Sequence, residues 1–273
     1  MNLIQQSVLR ADLDIPGFNV AKILESIVFG IIQGIAEFLP ISSSGHIVIA
    51  QKLFGYAEPS VVENVLLHVG TLVAIVIFFF KDILDLFKVR RKEIFLIAIG
   101  TIPIVALVFF FGDSIEGLFK STRVIGGALI ITAIWLLSGS LVSRYASNNS
   151  ENSKLSGWQA LLVGISQAIA IVPGVSRSGA TISTALLLKK NQDLAFRFSF
   201  LLSIPAVFGA LLYKAKDIVA VNVADLAAML LGSFIACVIG VFALWFLKRV
   251  LIKNKFYYFS VYCAILGLVL LFI

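Results

Sequence analysis

The sequence predicts an all-α polytopic membrane protein, an inverted-topology repeat with about six transmembrane helices and two re-entrant helix–loop–helix hairpins. Three features of the chain point there. Its 273 residues are 60% hydrophobic and 14% charged, with mean hydropathy +1.03, a balance that keeps no soluble domain of this size dispersed. Windows 64–80, 94–111, 124–143, 198–213, 226–247 and 256–273 contain no Asp, Glu, Lys or Arg. A polar signature also occurs twice, 134 residues apart.

Each window is a candidate span, since crossing takes about 17–25 mostly apolar residues. The 198–213 window is short and holds Pro205, so it must draw a turn from its flanks or kink. Basic clusters set the sidedness. Lys81, Lys88, Arg90, Arg91 and Lys92 form one, and Lys248, Arg249, Lys253 and Lys255 another; both should be cytoplasmic. The mixed-charge loops near 112–123 and 214–225 then fall outside, as does 55–63, while 143–156 and Lys189-Lys190 lie inside. Both termini are expected outside. Residues 1–20, with Asp12 and Asp14 and no apolar core, are not a signal peptide; they read as a short lead-in to a single membrane domain. Within it, repeat one covers about 22–143 and repeat two about 157–273. Cys237 and Cys263 lie in apolar segments and read as packing residues rather than a disulfide or metal pair.

The first signature runs from Gly30 through Gln33, Glu37, Pro40 and Ser42-Ser43-Ser44-Gly45-His46; the second runs from Gly164 through Gln167 and Pro173-Gly174 to Ser176-Arg177-Ser178-Gly179 and Thr181. Laid without gaps, 30–45 and 164–179 share eight identities in sixteen positions. Glu and His occur only in the first copy and Arg only in the second, so one site is expected to draw on both halves. With the assigned sidedness the first copy starts and ends outside and the second inside. That is the pattern of an inverted repeat, with a binding site near the midplane built from broken helices. The prolines and the Ser/Gly runs cannot face lipid as regular helix.

Several residues could carry chemistry. Glu37 sits in an otherwise uncharged stretch, where a carboxylate costs on the order of 2.5–3.5 kcal/mol on insertion scales. Gln33, four residues earlier, shares its helical face, and the pair offers oxygens to a hard divalent cation. Ser42, Ser43 and Ser44 precede His46, which could act as base toward a serine or attack phosphorus itself; serines at a helix start also serve as caps. His68 reads as a core or interface histidine. Arg177, the lone charge between Lys154 and Lys189, lies where a helix opens, with free N–H groups and a dipole that favour anions. Its fork can hold a phosphate with help from Gly174 backbone, Ser176, Ser178 and Thr181, or bridge to Glu37 in the ligand-free state. Gly174–Thr181 is not a nucleotide P-loop, because Ala180 stands where its lysine belongs. Dispersed basic residues argue against nucleic acid.

These motifs resemble the undecaprenyl-diphosphate phosphatase family, the bacitracin-resistance type of integral membrane enzyme. The resemblance rests on Gln33, Glu37, Pro40, Ser42, Ser43, Gly45 and His46, and on Pro173, Gly174, Ser176, Arg177, Ser178 and Thr181. Gln33 stands where many members carry Glu. The resemblance implies hydrolysis of undecaprenyl diphosphate to the monophosphate, recycling the lipid carrier for peptidoglycan. It also implies a divalent cation, Mg2+ or Ca2+, held by Glu37 and Gln33, and an active site on the outer face of the bacterial plasma membrane. Ser43 with His46 as base, or His46 directly, attacks the terminal phosphorus. The alternative is a transporter or flippase of a phosphorylated lipid or anion, since inverted repeats also build transporters. A homodimer is compatible with the sequence and argued by no residue in it.

Overall fold

The computed structural model describes residues 14–15, 18–56, 59–115, 121–145, 154–215 and 223–272. The lead-in 1–13, Glu58, and the centres of the loops near 112–123, 143–156 and 214–225 lie outside the described residues. Apart from a two-residue antiparallel pairing of Asp14–Ile15 with Phe18–Asn19, the described chain is helical. Its helices are α1 (Val20–Ala36), α2 (Ser43–Phe54), α3 (Val61–Phe78), α4 (Phe80–Lys88), α5 (Arg91–Ile115), α6 (Thr122–Tyr145), α7 (Gly157–Ile169), α8 (Arg177–Leu187), α9 (Gln192–Ala215), α10 (Val223–Ile252) and α11 (Tyr257–Phe272).

Five of these, α3, α5, α6, α9 and α10, are long and apolar enough to cross a membrane. The short 198–213 window gains its missing turn from Gln192 onward and keeps Pro205 inside a continuous α9. The last window becomes the 16-residue α11, about 24 Å long at 1.5 Å per residue and shorter than a full span. Large side chains such as Phe109, Phe234 and Phe242 are 80%, 65% and 67% exposed, which only a hydrocarbon surround tolerates over so wide a surface. The protein is a multi-pass membrane protein. The basic loop after α3 holds a helix of its own, α4, tied down by Arg90, which donates to Asp82 and Asp85 at 2.8 and 3.1 Å.

Packing between the halves is reciprocal. Helix α1 lies against α10 and α7 against α5; α3 also meets α10, and α9 meets α5; α6 and α11 pair with each other. Close backbone approaches repeat too. A Cβ on Gly30 would strike the Gly232 carbonyl oxygen of α10, and one on Gly164 would strike that of Gly100 on α5. Small residues let backbones approach where lipid supplies no hydrophobic drive between helices. At its other end α1 is fixed to α3 by the buried Glu63, which accepts from Lys22 Nζ at 2.5 Å and Ser26 Oγ at 2.8 Å. Among the described residues both cysteines are free thiols, and Cys263 is fully buried.

Candidate active site

Both signatures form helix–turn–helix tips, and the tips touch. Helix α1 stops at Ala36 ahead of Pro40, which cannot donate to a continuing ladder. Ser42 then caps α2, its Oγ accepting from Gly45 N at 3.4 Å. At the second tip Ser176 caps α8 in the same way, accepting from Gly179 N at 3.2 Å. In each tip the capping hydroxyl also lies 3.3 Å from the hydroxyl two residues on, Ser44 or Ser178. Thr181 is turned inward, its Oγ1 bonded to Arg177 O at 2.9 Å and Ser199 Oγ at 2.5 Å. The serines and threonine expected to meet substrate are thus also the residues that start and anchor the helices.

The tips are conformationally constrained. Ser42 holds φ 70° and ψ 102°, a region that costs a non-glycine residue on the order of 1–3 kcal/mol and persists where surroundings impose it. Gly174 has φ 97°, and a Cβ there would lie 2.5 Å from the Ile125 carbonyl oxygen; no other residue fits. Thr132 of α6 pins this loop. It donates to Gly174 O and accepts from Ser176 N, both at 3.1 Å. Nothing in an apolar helix marks Thr132 from sequence alone.

Between the tips sits one carboxylate with three donors. Glu37 Oε1 accepts from Arg177 Nη2 at 2.6 Å, and Oε2 accepts from Ser43 Oγ at 2.7 Å and Gln33 Nε2 at 3.1 Å. The Glu37 and Arg177 side chains are only 9% and 17% exposed. Two groups here remain unsatisfied: Gln33 Oε1 and Arg177 Nη1 are buried with no partner among the described residues. A buried donor and a buried acceptor left open each cost about 1–3 kcal/mol, which a ligand bearing both negative charge and a cation would recover.

His46 is not bonded to Ser43. Its Nδ1 lies 2.8 Å from the Ser42 carbonyl and its Nε2 2.6 Å from the Tyr262 hydroxyl of α11. The hydroxyl proton of Ser43 is directed at Glu37 instead. His68 lies on α3 with its Nδ1 2.9 Å from Asn64 O.

A family model described as Bacitracin resistance protein BacA matches residues 26–269, which include both tips. The chain belongs to this family. Curated relatives extend the BacA likeness nearly end to end. The undecaprenyl-diphosphatase of Halothermothrix orenii is 38% identical over 255 residues, 92% of this chain and 97% of the relative. That of Methanosphaera stadtmanae is 39% identical over 271 residues, 90% and 96%. That of Carboxydothermus hydrogenoformans is 39% identical over 252 residues, 90% and 95%. Every candidate residue from Gln33 to Thr181 falls inside the BacA match.

Proposed function

We propose that this BacA-family protein hydrolyses undecaprenyl diphosphate to undecaprenyl phosphate and inorganic phosphate at the junction of the two tips, recycling the lipid carrier for cell-wall synthesis. Arg177 carries this reading. It bridges the tips through Nη2 while Nη1 is buried and open, a guanidinium with half its fork left for a phosphate oxygen. The names of the relatives give the substrate. The Ser43–Glu37 bond supplies a nucleophile, which a carrier has no need of.

The hairpins are re-entrant in this reading and the halves form an inverted repeat, with the active site opening to the outer face of the plasma membrane and both termini outside. Reciprocal packing of α1 on α10 and α7 on α5 supports it. So does length: α2 and α8 have 12 and 11 residues, about 16–18 Å against a hydrocarbon core of about 30 Å. The isoprenoid chain stays in lipid beside the spans while the diphosphate reaches the tips.

Hydrolysis then proceeds as follows. The terminal phosphate draws the Arg177 fork off Glu37, and the freed carboxylate becomes a stronger base. Ser43 Oγ, 2.7 Å from Glu37, gives up its proton and bonds to the terminal phosphorus; the bond from that phosphorus to the bridging oxygen breaks, and undecaprenyl phosphate leaves. Water attacks the phosphoserine, releases phosphate and restores the serine hydroxyl. Arg177 and the N–H groups at the start of α8 stabilise the phosphoryl oxygens throughout. The donor set suits a divalent cation, Mg2+ or Ca2+. Glu37 and the open Gln33 Oε1 would hold it together with oxygens of the diphosphate. Bound there, it would offset negative charge on the phosphoryl group. Gln33 donates its NH2 to Glu37 at 3.1 Å and leaves its Oε1 without a partner among the described residues.

The test is phosphate release from C55 or C15 isoprenyl diphosphate by purified protein in detergent, with Mg2+ and then with EDTA. Release that depends on the metal and is lost in Glu37→Ala and Arg177→Ala is the expected result. An intact, folded preparation that releases no phosphate refutes the proposal.

A further inference from the structure

We propose that Tyr262 is a positioning residue for His46, fixing the imidazole in one tautomer and holding the first tip from the far half of the molecule. His46 Nδ1 lies 2.8 Å from the Ser42 carbonyl. A carbonyl only accepts, so Nδ1 carries the proton, and the Nε2 of a neutral ring is an acceptor. Tyr262 Oη, 2.6 Å from Nε2, is its donor, and the two ring planes lie 13° apart.

The contact belongs to a larger clasp. The next residue, Cys263, donates its thiol to Pro40 O at 3.4 Å, so two consecutive residues of α11 hold the first tip. The second tip is held by Thr132 of α6. Helices α6 and α11 are themselves in close register, because a Cβ on Gly126 would lie 2.9 Å from the Gly267 carbonyl oxygen and one on Gly267 2.8 Å from that of Gly126. One closely packed helix pair therefore holds both tips, while the Glu37–Arg177 bridge joins them to each other. His46 has both nitrogens committed: Nδ1 cannot act on a substrate while the Ser42 bond stands, and Nε2 becomes available only when Tyr262 yields it.

The histidine geometry stands without the phosphatase reading; its effect on turnover rests on that reading. The chain has only two histidines, so 15N-histidine spectra of the full-length protein in detergent are readable, with His68→Gln assigning the pair. Wild type should show His46 as a neutral ring protonated at Nδ1 alone. Tyr262→Phe keeps the ring and removes the hydroxyl. It should shift the Nε2 signal and mix the tautomers, and it should lower turnover roughly 3- to 10-fold, the worth of one neutral hydrogen bond, with KM little changed. Tyr262→Leu should do the same and also lower thermal stability. A wild-type ring protonated at Nε2 overturns the inference, as does a Tyr262→Phe protein with wild-type turnover and an unshifted His46 signal. A protein with the expected spectra and no phosphate release in wild type would instead refute the phosphatase and leave the tautomer assignment standing.

Discussion

Removing Arg177 should expose how much of this fold's stability resides in one buried charge pair. Arg177→Met keeps the aliphatic stem and deletes the guanidinium, leaving Glu37, whose side chain is 9% exposed, without its partner at 2.6 Å. At an effective dielectric of about 20, two unit charges 4 Å apart attract by about 4 kcal/mol, and stripping one member from a buried pair costs about 3–5 kcal/mol. Ser43 and Gln33 still donate to the carboxylate, so the loss should fall near 3 kcal/mol. That corresponds to roughly 6–12 °C in Tm at about 2–4 °C per kcal/mol. Turnover should fall by at least about 10²–10³, the effect of losing one stabilising donor. The decisive comparison is Glu37→Gln with Arg177→Met. Deleting the stranded charge should restore part of the stability lost in Arg177→Met while activity stays abolished. A double variant whose Tm loss equals the sum of the two single losses would show that the bridge carries no coupling energy and refute the reasoning.

Three further outcomes follow from the geometry. Ser43→Ala should lose phosphate release by at least about 10³-fold, as expected when a nucleophile of a concerted group is removed, and should cost about 1.5–3 kcal/mol of stability, the worth of its hydrogen bond to the buried Glu37 carboxylate; substantial residual turnover would transfer the nucleophile's role to His46. Gly30→Ala and Gly164→Ala should each destabilise by about 1–3 kcal/mol through overpacking, since each Cβ meets a backbone carbonyl of the neighbouring helix, α10 or α5, whereas Gly127→Ala, with nothing within 4 Å of the added carbon, should leave Tm unchanged or raised; equal effects at the three sites would dismiss the close approaches. Thr132→Val should leave the Ser176 N–H unsatisfied, cost about 1–3 kcal/mol and lower turnover together with it, read by thermal unfolding and phosphate release on the same preparation.

How far the site could be read from sequence follows from where its physics is local. Glu37 and Arg177 are legible because a charge in an uncharged apolar stretch needs a reason, and each stands alone in its stretch. Their meeting is legible because the two signatures repeat. The partner of Ser43 is not. Serine at 43 and histidine at 46 are one turn apart, which permits a contact, but the rotamer of each is set by groups elsewhere: Glu37 takes the serine, and Ser42 O with Tyr262 takes the ring. Thr132 and Tyr262 are 42 and 216 residues from the groups they hold, and each is an ordinary residue in an apolar helix. Among the spans, composition identifies the windows, yet helix ends depend on flanking turns, so the Pro205 window is completed from Gln192.

The divergence of the two tips has an electrostatic logic. In the ungapped alignment Ser43 stands opposite Arg177, Glu37 opposite Ile171 and His46 opposite Ala180. Two identical tips meeting at one point would bring carboxylate to carboxylate or guanidinium to guanidinium, each a buried like-charge pair with no hydrogen bond to offset it. Placing the acid on one copy and the base on the other converts that repulsion into the 2.6 Å bridge. What both copies keep is what both helix starts need: Ser42 and Ser176 as caps, Ser44 and Ser178 beside them, and Gly45 and Gly179 as the capped amides. Identity between the copies therefore marks scaffold and difference marks chemistry. The glutamines are the exception that sharpens the rule. Gln33 and Gln167 are identical and both fully buried, but Gln33 has Glu37 one turn on, while Gln167 has Ile171 and neither end of its amide is partnered among the described residues. The same side chain serves a carboxylate in one half and is without a partner among the described residues in the other.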